Sequence, residues 1–260
     1  MNKFFAVYRE CIKVSFARIT AYRLNFVLTC IITLVGNILF PLVTVLIYSS
    51  GASFPNWGLF EVLLIQSIFT MSSGIASVLF DGVLWATMDL IREGSFETVL
   101  LKPINPIVFL MATTFEPESF GLVIGGLVIF IVSLCNIGAV TISMFAHFLV
   151  LFAAGVAVML GFSMIMAAVS FKWVGNSRIP EIFNSIKAFG QYPVSIFPKA
   201  IRSFSTFIIP VAMIGCFPAS ALLGNVPDYA YISVLPCILF MFFGIWLYQK
   251  MIKLYQGVGG

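Results

Sequence analysis

Residues Leu24–Ile47 read LNFVLTCIITLVGNILFPLVTVLI, a run that is apolar on every side and carries no charge. At about 1.5 Å rise per residue, roughly 20 such residues cross the hydrocarbon core of a bilayer. No water is available there, so the backbone must pair with itself, which leaves a helix or a closed barrel. Barrel strands alternate apolar and polar residues in short segments. This run does not alternate, so it is a membrane-spanning helix, with Pro41 expected to kink it.

The rest of the chain fits that start. The protein has 260 residues, of which 61% are hydrophobic and only 9% charged. Its mean hydropathy is +1.09. A soluble domain is nearer to about half apolar and a quarter charged, so there is too little polar surface here to coat a water-facing globule. Further long apolar stretches cover about 58–79, 120–137, 145–171 and 231–249, with breakers Gly51 and Pro55 in the first loop. Between 182 and 223 lie two shorter candidates, Ile182–Phe197 and Phe204–Leu223, the latter broken by Pro210 and Pro218. One of them crosses and the other dips in and out. Either choice gives about six crossings in an all-α polytopic membrane protein.

Residues 1–20 read as an amphipathic surface helix. Phe4, Tyr8, Cys11, Ile12, Phe16 and Ile19 share one face, and Lys3, Arg9, Lys13 and Arg18 supply a basic remainder suited to anionic headgroups. The lysines and arginines fall in this segment, in the loop after the second span, in the stretch after the fourth and in the C-terminal tail. By the positive-inside rule both termini are then cytoplasmic. Lys199 and Arg202 are the exceptions if Ile182–Phe197 crosses; the charge rule alone favours Phe204–Leu223.

Several chemistries are excluded by what is missing. No G-x-x-x-x-G-K-[ST] loop is present, so the chain does not hydrolyse nucleotide by that route. His147 is the only histidine, which removes most nucleophile–base pairs. The five cysteines are scattered without metal-like spacing and read as small buried residues. No catalytic, cofactor or metal residue is expected. The span centres carry essentially no charge, which argues against an ion-coupled carrier, although Gln66, Ser67, Ser72 and Ser73 could line a pathway.

The stretch between the second and third spans, 80–119, holds six of the ten acidic residues: Asp81, Asp89, Glu93, Glu97, Glu116 and Glu118. Within Asp89–Pro106, Gly94 breaks, Ser95 can cap, Phe96–Leu101 can turn once or twice, and Pro103 and Pro106 stop it. The segment is either an ordinary loop or a short rigid helix presented below the membrane.

The pattern Ile91-x-x-Gly94 followed by Leu100-Leu101-Lys102-Pro103 resembles the segment after span two in permeases of the ATP-binding-cassette (ABC) type-2 exporter family. Tyr192-Pro193, Phe197-Pro198, Ile209-Pro210, Phe217-Pro218-Ala219 and the end, Trp246 through Tyr255-Gln256-Gly257, are similar to the bacterial branch that includes proposed viologen and multidrug exporters. Lys102 departs from the more usual Arg. The resemblance covers nearly the full length and implies a single permease domain over 1–260. Its parts would be an elbow helix at 1–20, a cytoplasmic coupling region at 80–119, Ile182–Phe197 as span five, and a re-entrant region at 199–223. Arg92, Glu93, Gly94, Phe96, Glu97, Leu100, Leu101, Lys102 and Pro103 would form the coupling element docking on an ATPase.

The resemblance further implies a half-transporter of the bacterial cytoplasmic membrane. It would pair with a second permease, the same chain or a related one, and with two ATP-binding subunits that carry the ATP and Mg. It would touch lipid and no nucleic acid, and would export an amphipathic or drug-like substrate. Two rivals stay open on the residues alone: a secondary carrier or channel working without an ATPase, and a polytopic lipid-modifying enzyme using the acids of 81–97.

Overall fold

The computed structural model describes residues 9–10, 13–14, 17, 23–173 and 178–255. The surface helix expected over 1–20 lies mostly outside the described residues, as does the tail after Tyr255. Among those described, all regular structure is helical. Helix α1 (Arg23–Ser49) runs unbroken through Pro41. Helix α2 (Leu59–Ala76) continues through one π-helical turn at Ser77–Asp81 into α3 (Gly82–Arg92). Two short helices follow, α4 (Glu97–Leu100) and α5 (Pro106–Thr113). Then come α6 (Phe120–Ile137), α7 (Ile142–Ser170), α8 (Arg178–Ala188), α9 (Lys199–Ser203), α10 (Cys216–Leu222), α11 (Asp228–Ile232) and α12 (Val234–Ile252).

Five of these units are long and apolar enough to cross a membrane: Arg23–Ser49, Leu59–Arg92, Pro117–Ile137, Ile142–Ser170 and Asp228–Ile252. The second is longer than the sequence reading, which ended it at Leu79. Residues 82–92 extend the helix because Val83, Leu84, Thr87 and Ile91 recur on one buried face, so Asp81 and Asp89 lie on a helix and not in a loop.

Side-chain contacts mark two ends of the bundle. At one, the Trp57 indole donates to Ser195 Oγ at 2.8 Å, and His147 meets Tyr231 with ring centroids 5.6 Å apart. At the other, Phe96 meets Phe171 and Tyr255, and Thr87 shares a 2.8 Å hydrogen bond with Tyr248. Residues 178–196 run toward the Trp57 end, beyond the length of α8 alone. Phe183 touches Phe162, Gly190 lies against Phe69, and Ser195 reaches Trp57. These partners lie progressively closer to the Trp57 end.

The segment after it behaves differently. Lys199–Ile208 and Val211–Leu222 are two helical pieces bent by 77° at a short break. The first piece is tied to the Trp57 end, where Arg202 donates to the carbonyls of Ser195 and Phe197. The bend reaches the middle of the bundle: Met213 and Ile214 press on Gly155, and Ser72 donates to the Ile214 carbonyl. The second piece continues from the bend to Gly224, which comes to rest beside Met144, near the start of α7.

Small residues make close helix contact possible, as expected where lipid offers no hydrophobic drive for association. A Cβ on Gly244 of α12 would stand 2.6 Å from the Gly161 carbonyl of α7, and one on Gly126 of α6 would meet Met71 of α2 at 2.7 Å. By contrast α1 is peripheral: only 11% of its most apolar window is buried, against 67% for Leu59–Arg92.

Candidate functional site

The most organised surface feature sits at the Phe96 end, where α3 stops. Gly94 adopts φ 68°, a left-handed conformation that glycine takes up without a steric penalty. Its N–H donates to the Ile91 carbonyl at 3.1 Å and that of Ser95 to the Leu90 carbonyl at 2.8 Å. Both bonds are those of a Schellman stop, which satisfies the last carbonyls of a helix and turns the chain away.

The chain then re-enters a helix at once. Phe96 is fully buried, with its ring edge-on to Phe171 at 4.9 Å and near Tyr255 at 5.3 Å. Val99 is buried one turn later. A single turn of helix has no stability of its own in water, so α4 exists because these two side chains hold it to the ends of α7 and α12. On its far side, Asn105 caps α5 by accepting from the Ile107 N–H at 3.0 Å, with Pro106 in the first helical position. The α5 residues Ile107 and Leu110 are buried. Gly82 of α3 packs directly on Thr114 just past α5, so the two helices brace each other.

The residues expected to form a coupling element divide into two groups. Arg92, Glu93, Glu97, Leu100, Leu101, Lys102 and Pro103 are exposed, with Leu101 84% exposed. Arg92 pairs with Asp89 at 2.9 Å, an exposed pair of little energetic weight. Gly94 and Phe96 serve the interior: one makes the turn and the other anchors it. Ser95 does not cap α4 with its side chain as the sequence suggests. Its carbonyl accepts from the Thr98 N–H at 3.0 Å, while its hydroxyl is buried without a partner.

Sequence reasoning missed the anchors Phe171 and Tyr255, which lie at two span ends distant in sequence. It also placed Asp81 in the polar stretch between the second and third spans. The π-helical turn at Ser77–Asp81 sets this carboxylate between helices, where it accepts from Ser163 of α7 and, at 3.1 Å, from Ser77. Asp81 thus ties the end of α2 to α7. An intrahelical π turn of this kind commonly re-aims a side chain at a working position.

The polar residues of α2 are engaged in packing within the chain. Gln66 donates to Thr44 at 2.7 Å, joining α2 to α1, Ser67 donates to the Leu64 carbonyl, and Ser72 holds the bend of 199–222. Only Gln66 Oε1 among these is left without a partner. Among the described residues no group of His, Cys, Asp and Glu could hold a metal ion.

Fold and site together define a multi-pass α-helical membrane protein with an internally anchored, partly apolar exposed surface at one end of its bundle. A family model described as ABC-2 family transporter protein matches residues 31–259, and the chain belongs to that family. It is accordingly a membrane component of an ABC transporter, a class that works with ATP-binding subunits. A comparison with curated proteins finds no match.

Proposed function

We propose that this chain is the permease half of an exporter that moves an amphipathic or drug-like substrate outward, driven by ATP hydrolysed on separate subunits. Two copies, or this chain and a related one, form the translocation unit with two ATPases. Both termini and the Phe96 end face the cytoplasm of a bacterium, because Arg92, Lys102, Lys172, Lys250 and Lys253 gather toward that end. Residues 92–103 dock in a cleft on the ATPase.

The observation that carries the reading is the division of labour in α4. A one-turn helix clamped from inside by Phe96 and Val99 offers Leu100, Leu101 and Glu97 outward on a stiff base. Motion of an ATPase against such a lever passes into α3, α7 and α12 as rigid-body tilting, not as loop bending. A chain with 28 phenylalanines and 11 methionines offers soft, aromatic surface suited to an amphipathic substrate. The poorly buried α1 supplies apolar surface for lipid or for the second permease.

The test is transport into inverted membrane vesicles holding the chain and an ATPase subunit from the same genome. ATP should drive accumulation of an amphipathic dye, and an ATPase unable to hydrolyse should abolish it. Accumulation driven by a proton gradient without ATP would instead establish a secondary carrier.

A further inference from the structure

Lys199 and Arg202 stand at the Trp57 end, apart from the cations of the Phe96 end, and the transport reading gives them no task. Arg202 is held in place: one terminal amino group donates to the Ser195 carbonyl at 3.0 Å and the Phe197 carbonyl at 3.3 Å. Ser195 is itself fixed by the Trp57 indole. The Nε of Arg202 is buried and has no hydrogen-bond partner. No ion pair joins a carboxylate to Lys199 or Arg202 among the described residues; the nearest acid in the following sequence, Asp228, is exposed. A positioned guanidinium with an unused buried N–H is built to receive an anion.

Both cations line a cavity of about 280 Å³ together with Ser203, Thr206, Phe207 and Tyr229. Phe207 is also a wall of a second, larger cavity of about 490 Å³. That cleft lies between α7, α8, the bend of 199–222 and α12, and it is lined by Phe162, Phe183, Ile208, Leu239, Phe240 and Phe243 among others, all apolar. Its size falls within the range of roughly 300–1,000 Å³ typical of small-ligand sites. The arrangement is amphipathic: a cavity lined by cations and hydroxyls adjoins an aromatic-walled apolar cleft, with Phe207 in the wall of both.

We propose that these adjacent cavities together form a binding site for one anionic lipid of the leaflet at the Trp57 end. Its phosphate sits on Arg202 and Lys199, and its acyl chain passes Phe207 into the cleft. The lipid completes the hydrogen bonding of Arg202 and wedges the 199–222 element against α12. This inference goes beyond the transport reading and does not depend on it, since it concerns a lipid and not the exported substrate or the ATPase.

The full chain purified in detergent should be examined by native mass spectrometry with phosphatidylglycerol, with phosphatidylcholine of the same chains, and with glycerol phosphate. Phosphatidylglycerol is expected to give a single saturable adduct at least about tenfold tighter than phosphatidylcholine, whose phosphate is the same but whose trimethylammonium group brings a further positive charge against Lys199 and Arg202. Glycerol phosphate at equal concentration should neither bind nor compete, which separates a lipid site from a simple phosphate site. The double variant Lys199→Gln, Arg202→Gln should lose the phosphatidylglycerol preference. Leu239→Trp, which fills the cleft and leaves both cations intact, should weaken the adduct by a similar factor while unfolding at the wild-type temperature. Equal binding of the two lipids, competition by glycerol phosphate, or a preference that survives both variants would overturn the proposal.

Discussion

Replacing Phe96 with alanine isolates the anchoring of α4 from everything else. The side chain is fully buried and its ring stands edge-on to Phe171 and tilted toward Tyr255. Truncating a buried phenylalanine costs about 3–5 kcal/mol, a range that already contains the two aromatic contacts at about 0.5–1.5 kcal/mol each. The cost falls on a local unit. The four residues Glu97–Leu100 make one turn, whose amide bonds run from Thr98 to Ser95, Val99 to Phe96, Leu101 to Glu97 and Lys102 to Val99. Such a turn has no protection without its anchor. At about 1.4 kcal/mol per factor of ten, a loss of about 3 kcal/mol raises the opening equilibrium about 100-fold. Hydrogen exchange followed by mass spectrometry should therefore show peptides over 97–102 exchanging about 100-fold faster, with peptides from α2 and α7 unchanged. Phe96→Leu, which keeps most of the volume, should give about a tenfold change or less. Unchanged exchange over 97–102 in the alanine variant would refute the anchoring role, because it would mean that α4 is held by something other than Phe96.

Other consequences are as direct. Gly244→Ala forces a Cβ to within 2.6 Å of the Gly161 carbonyl, so thermal unfolding in detergent should fall by the equivalent of about 1–3 kcal/mol. Gly36→Ala meets nothing within 4 Å and should hold or raise stability by up to about 1 kcal/mol through helix propensity, read in the same unfolding assay. Asp81→Ala removes the acceptor for Ser77 and Ser163, a loss on the order of 2 kcal/mol. Combining it with Ser163→Ala should be clearly less damaging than the sum of the two single changes; strict additivity would show that the pair is not coupled.

The long spans were legible because a bilayer demands an unbroken apolar run, and Leu24–Ile47 can be nothing else. The stop at Gly94 and the short turn after it were also legible, since glycine and the prolines at 103 and 106 punctuate the chain locally. What escaped were features made by distant residues meeting. Phe96 looks like an exposed contact residue until Phe171 and Tyr255 close over it. Asp81 looks like one more acid of the stretch between two spans until a π turn aims it at Ser163. Ser95 looks like a cap, yet its hydroxyl points into the protein. The two candidates between 182 and 223 were not resolved by hydropathy, because neither forms one long straight helix: 178–196 is a short α8 followed by two 3-10 turns, and 199–222 is bent by 77° at a short break.

In the proposed transporter the exposed face of α4 grips an ATP-binding subunit. That grip is tested most directly by co-purification in detergent of the tagged chain with ATP-binding subunits co-expressed from the same genome, comparing wild type with Glu97→Lys, Leu100→Asp. Both substituted residues are exposed, so the variant should fold and elute as wild type does. The expected result is an ATPase subunit bound to the wild-type chain and lost from the variant. An ATPase retained equally by both would contradict the docking role of this face.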